Sequence, residues 1–267
     1  MKSEAIRIAT DAKSPTIAYL QLREYLQHVI LRVLFEQKDL PNLIFHGGTA
    51  LRIIHGLNRF SEDLDFHLKV PNEKYRLTQV ISTLLKNLAL QGYIVSDSGV
   101  KEKTVRSTFI KFEGLLFECG LTINEDEKLS IKLEVDANPP PSWQVERRLI
   151  NVYSPFSLIH HDVPSFLSGK IHAILQRPYT KGRDFYDLIF LLSRWEGLQP
   201  NIPYLQNALQ QTSYMGAPIN EKSWESVLSE TARSLNWGQI QDDIRPFVIS
   251  EADSGILDLN LLLDLLS

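Results

Sequence analysis

Three acidic residues stand where they could hold a metal ion. Asp63 and Asp65 lie one residue apart in DLDFHL, and Glu134 lies in SIKLEVDA. The alternation of Asp63–Val70 predicts a strand. Successive strand side chains point to opposite faces. Asp63, Asp65 and His67 then share one face, and Leu64, Phe66 and Leu68 bury on the other. The Cβ atoms of the two acids would be about 7 Å apart, roughly two strand rises. Anions that close repel and shift each other's pKa. A divalent cation relieves this, and hard oxygen ligands suit magnesium. SIKLEVDA alternates too, with Ile131, Leu133 and Val135 opposite Lys132, Glu134 and Asp136. A neighbouring strand could therefore supply a third carboxylate. Three carboxylates on adjacent strands suit two-metal phosphoryl or nucleotidyl transfer. One metal activates the attacking hydroxyl and the other steadies the leaving pyrophosphate.

Gly47-Gly48 precedes the acids. Glycine lets a backbone approach a ligand closely, and amides opening the next helix can bind phosphate oxygens. Thr49 can cap that helix or bond to a phosphate.

The elements that position these residues follow from periodicity. Ile17–Gln37 has helical spacing behind Pro15. Leu43–His46 reads as a short buried strand, and TALRIIHGL as a helix ending near Gly56. Glu73–Leu90 reads as an amphipathic helix. Strands are expected at Tyr93–Val95, Thr104–Phe112, Leu115–Cys119 and Ser130–Asp136, with Glu113-Gly114 as a hairpin turn. Pro139-Pro140-Pro141 is the best boundary. Beyond Arg148, helices are expected at Asp162–Gln176, Arg183–Trp195, Ile202–Gln211, Trp224–Leu235 and Ile256–Leu266. The fold class is α+β, a mixed sheet with helices followed by a mainly helical C-terminal region. The expected domains are 1–150, catalytic, and 151–267, helical.

Composition narrows the function classes. The 267 residues are 43% hydrophobic and 22% charged, ordinary for a globular protein. One cysteine, Cys119, precludes an intramolecular disulfide or a cysteine zinc cluster within one chain and fits a reducing cytoplasm. The N-terminus lacks a signal-peptide core, and no apolar run is long enough to span a bilayer. A net charge of -4 argues against a broad nucleic-acid coat. RNA would have to bind locally, near Arg177, Lys181 and Arg183.

HGGTALRIIHGLNRFSEDLDF resembles the first motif of the AbiEii/AbiGii-type nucleotidyltransferases, in the DNA polymerase β-like superfamily. IKLEVDANPP is similar to the second motif, and DVPSFLSGKIHAILQRPYTKGRDFYDL to the third. The motifs fall in the family's order and span Gly47 to Leu188. The resemblance implies that Gly47, Gly48 and Ser61 contact nucleotide phosphates and that Asp63 and Asp65 hold magnesium. It implies Glu134 as third carboxylate and base for the acceptor hydroxyl; Asp136 shares its face, and Glu134 is favoured because Asp136 leads into the proline turn. It implies that Lys170 neutralises the triphosphate, with Arg183, Asp184 and Asp187 as charged support. The C-terminal region would thereby complete the active site.

Simpler roles compete. Ser61 also suits a turn cap, and Lys170 a solvated helix face. Asp184 suits a helix N-terminus, and Asp187 a partnership with a basic neighbour such as Lys170. The adjacent His160 and His161 point different ways and read as structural. The function implied is NMP transfer from an NTP to an acceptor hydroxyl with two Mg2+ ions. The acceptor would be RNA, the 3′ end of a tRNA, and the chain the toxin of a toxin–antitoxin or phage-defence pair, with a separate antitoxin protein. The alternatives are a protein or small-molecule acceptor, or an inactive nucleotide-binding regulator.

Overall fold

The computed structural model describes residues 1–249 and 255–267. These divide into two compact units, neither continuous in sequence. The first comprises Met1–Ile54, Phe60–Pro139 and Arg147–His160, and the second His55–Arg59, Pro140–Glu146 and His161–Ser267. A single cut at residue 150 differs from this division. It overlooks the 55–59 and 140–146 segments and assigns 151–160 to the helical side.

In the first unit, α1 is Lys2–Thr10 and α2 is Pro15–Glu36. Ser14 caps α2, its Oγ accepting from the Ile17 amide at 3.3 Å, and Pro15 fills the first turn, where no amide donor is needed. A short 3-10 turn, Leu40–Asn42, leads into β1, Leu43–His46, followed by α3, Gly47–His55, and β2, Leu64–Leu68. Next come α4, Leu77–Leu90, then β3, Ile94–Asp97, β4, Lys101–Glu102, and β5, Val105–Glu113. Leu115–Glu118 is a single helical turn, α5, and not the second arm of a hairpin. Gly114 enters it with φ of +65°, and β5 pairs instead with β6, Leu129–Asp136, further along the chain.

Two more strands lie between the proline run and Asp162, where no element was expected: β7, Val145–Ile150, and β8, Phe156–His161. The eight-stranded sheet runs β3-β5-β6-β2-β1-β8-β7, with β4 paired to β5. It is mixed: β2 with β6 and β1 with β8 are parallel, while β1 with β2 and β5 with β6 are antiparallel. The two faces differ. Leu129, Ile131, Leu133 and Val135 of β6 are buried, while Ser130, Lys132, Glu134 and Asp136 between them are only partly covered. The core of this unit joins these residues to Phe45, Leu64 and Phe66 of the sheet and Leu26, Ile30 and Leu34 of α2.

The second unit is mainly helical: α6, Val163–Gln176; α7, Gly182–Arg194; α8, Ile202–Gln211; α9, Trp224–Arg233; α10, Trp237–Ile244; and α11, Leu259–Leu265. Asp162 caps α6, its carboxylate accepting from the Ser165 amide at 2.9 Å. Phe185, Leu188, Ile189 and Leu192 of α7 bury together, at the spacing of one helix face. No helix among the described residues is long and apolar enough to cross a membrane.

Candidate active site

Gly47 has φ of +78°, which L side chains rarely adopt. A Cβ built there would lie 2.5 Å from Asp65 Oδ2. Glycine therefore serves two needs, the left-handed turn out of β1 and the close approach of the Asp65 carboxylate. Gly48 and Thr49 are buried behind it. The Thr49 hydroxyl donates to the Asp63 carbonyl oxygen at 2.5 Å, which ties the start of α3 to the backbone of the first acid. Ser61 sits in the loop ahead of β2. The Ser61 and Glu62 carbonyls both accept from Gln27 Nε2 of α2, each at 3.0 Å, and Arg23 Nη1 bonds Glu62 Oε1 at 2.7 Å. The loop carrying the acids is thus gripped from α2 on one side and by Thr49 on the other.

Strand register brings the acids together. Asp65 lies opposite His46 on β1 and opposite Glu134 on β6. Asp136 lies opposite His67, one pair further along, and accepts the Asn138 amide at 2.9 Å. Burial raises its pKa. Of the two acids on that face of β6, Glu134 is therefore the one beside Asp65. The His46 and His67 rings pack together with centroids 3.9 Å apart.

Glu134 already has a cation. Lys132 Nζ lies 2.9 Å from Glu134 Oε1. Burial works against the Lys132 ammonium, but Glu134, Asp63 and Asp65 outweigh it and raise its pKa. As the side chains stand, no three His, Cys, Asp or Glu groups among the described residues converge on a metal position. The donor chemistry still fits a hard divalent cation. Asp63 and Asp65 offer carboxylate oxygens from one short stretch, and Glu134 is the next acid across the register.

The second unit gathers the third motif into a buried ion network. Lys170 Nζ lies 2.5 Å from Asp187 Oδ2 and 3.2 Å from Asp184 Oδ1. Arg59 clamps Asp187 with both ends of its fork, Nε to Oδ1 at 2.7 Å and Nη2 to Oδ2 at 2.6 Å. Arg177 Nε approaches Asp184 Oδ2 at 2.9 Å. Asp187 is fully buried; burial pushes its pKa up, but Arg59 and Lys170 prevail and hold it below the usual carboxylate value. Three cations, Arg59, Lys170 and Arg177, thus face the two carboxylates. Arg183 stacks over Phe247 at 4.2 Å, and Lys181 lies over Tyr179 at 5.6 Å.

Comparison with known proteins identifies the family. The model of the nucleotidyl transferase AbiEii toxin family, of type IV toxin–antitoxin systems, matches residues 29–257. The chain belongs to the AbiEii nucleotidyltransferase family. Among solved structures, a Helicobacter pylori protein assigned as a nucleotidyltransferase is 19% identical with a TM-score of 0.57, covering 91% of this chain and 93% of that one. Helicobacter pylori JHP933 is 19% identical with the same TM-score, covering 91% of each chain. Their likeness to this AbiEii-family chain is one of fold. No curated protein matches the sequence. Family membership makes the chain a nucleotidyltransferase and implies a nucleotide substrate and an antitoxin partner.

Two residues of this AbiEii transferase escape sequence reasoning. Arg59 pairs with a residue 128 positions away, which no local pattern shows. Alternation sets Lys132 on the Glu134 face without marking it as the partner of that acid. Lysine and glutamate two residues apart on one strand face are the signal that could have found the pair.

Proposed function

We propose that this chain transfers NMP from an NTP to the 3′ hydroxyl of RNA, a tRNA acceptor end, with Mg2+, as the toxin of a toxin–antitoxin pair. The observation that carries this reading is the register that sets Asp65 opposite Glu134 with Gly47 against Asp65. In this reading Asp63 and Asp65 hold the cation, which supplies Lewis-acid charge to the triphosphate when bound. Gly47 and Gly48 leave room for phosphate oxygens beside Asp65, and Ser61 offers a hydroxyl to them. Glu134 takes the proton of the acceptor hydroxyl. The acceptor oxygen then bonds to the α-phosphorus, and pyrophosphate departs with the electrons of the broken P–O bond. The family resemblance gives Lys170 the role of counter-charge to the triphosphate.

The test is incubation of the purified chain with each labelled NTP and total RNA. Wild type should label RNA in tRNA-sized species, and Asp65→Ala should abolish the label. Label in protein or small-molecule fractions alone would reassign the acceptor. Absence of pyrophosphate release from every NTP would sink the reading.

A further inference from the structure

The cation already present at the acidic site is the least expected feature of the first unit. Lys132 and Glu134 project from the same face of β6, with their charged ends 2.9 Å apart. Stepping the register back from the Leu64–Leu133 pair sets Lys132 level with Asp63 and Glu134 level with Asp65. Across β5, the same two residues face Phe109 and Ser107, which bring no competing charge. The four groups together carry three negative charges and one positive. A divalent ion held by Asp63 and Asp65 would meet a net negative charge in these four groups.

We propose that Lys132 is a built-in counter-ion of this site: it occupies Glu134 until a divalent cation binds at Asp63 and Asp65, and it thereby raises the cation concentration that the nucleotide-free protein needs. This rests on the reading of Asp63, Asp65 and Glu134 as the metal site. Binding of the cation releases Glu134 from the ammonium, and the freed carboxylate becomes able to accept the proton of the acceptor hydroxyl. The device ties the base to the presence of the cation. Without it, Glu134 stays paired.

The experiment is Mn2+ binding to the full chain without nucleotide, read from the signal of free Mn2+ by electron paramagnetic resonance. Lys132→Met should bind Mn2+ about tenfold more tightly than wild type, since it removes a positive charge within a few ångströms. Lys132→Arg, which keeps the charge, should stay near wild type. Asp65→Asn should bind far more weakly, which places the ion. Lys132→Gln replaces the methionine variant if that one fails to fold, as judged by circular dichroism. Unchanged or weaker binding in folded Lys132→Met and Lys132→Gln, with binding still lost in Asp65→Asn, would overturn the counter-ion and leave the metal site standing. No Mn2+ bound by any variant would overturn both. Tighter binding in Lys132→Met alongside an inert nucleotide assay would support the counter-ion while the transfer reading fails.

Discussion

Arg59 and Asp187 form a buried bidentate ion pair in the second unit. Both are buried and joined by two parallel hydrogen bonds. Removing one partner strands a charge in the interior, so Arg59→Met should cost about 3–5 kcal/mol in denaturant unfolding. A loss below about 1 kcal/mol would show that Lys170 suffices alone. The pH dependence follows from the same contact. The folded Asp187 pKa lies below its ordinary value. Its contribution is therefore complete above the ordinary carboxylate range and disappears as pH falls through the folded value. Asp187→Asn should flatten the acid limb of stability against pH, measured by urea unfolding below about pH 5. Gly47→Ala tests the other unit. The left-handed backbone should cost about 1–2 kcal/mol, while the new Cβ displaces Asp65. Transfer should therefore fall by about a hundredfold, more than the stability loss explains. Parallel assays of rate and melting temperature separate the two effects.

Strands β2 and β6 show what alternation can and cannot reveal. Leu64, Phe66, Leu133 and Val135 bury and leave Asp65 and Glu134 on the other face, as the alternation predicts. Phe66 stacks on Phe45 with centroids 5.1 Å apart at the centre of the sheet. Phe66→Ala should cost about 3–5 kcal/mol by thermal or chemical unfolding. Phe109→Ala, on the more open face of β5, should stay within about 0.5 kcal/mol. The strand pair that bears the acids was legible because one face is apolar throughout. β7 was not, because Val145–Leu149 is exposed and mixes charge with isolated apolar residues, so no face announces itself. α5 misled because LLFEC is apolar enough for a strand, whereas Gly114 turns the chain into one helical turn. Which acid of β6 matters also needed the register. Glu134 and Asp136 are equivalent by alternation and differ only in what stands across from them.

Across the whole molecule, the chain crosses between its two units repeatedly, and at His161 it enters the second unit for the last time. β8 completes the first unit's sheet beside β1, with Ile44 level with Ile159. A chain ending at Ile150 would expose the apolar edge of β1, whereas one ending at His161 would cover it. The shorter chain should aggregate and lose a cooperative melting transition that the longer one retains, as read by light scattering and circular dichroism. A soluble, cooperatively melting 1–150 chain would contradict this. The late closure also bears on synthesis. The partner of Ile44 is made about 115 residues later, which at ribosomal rates is roughly 6–23 s. During that interval the nascent enzyme has its acids but not the strand beside β1. A cell making this chain thus has a delay in which a chaperone can reach the unfinished sheet.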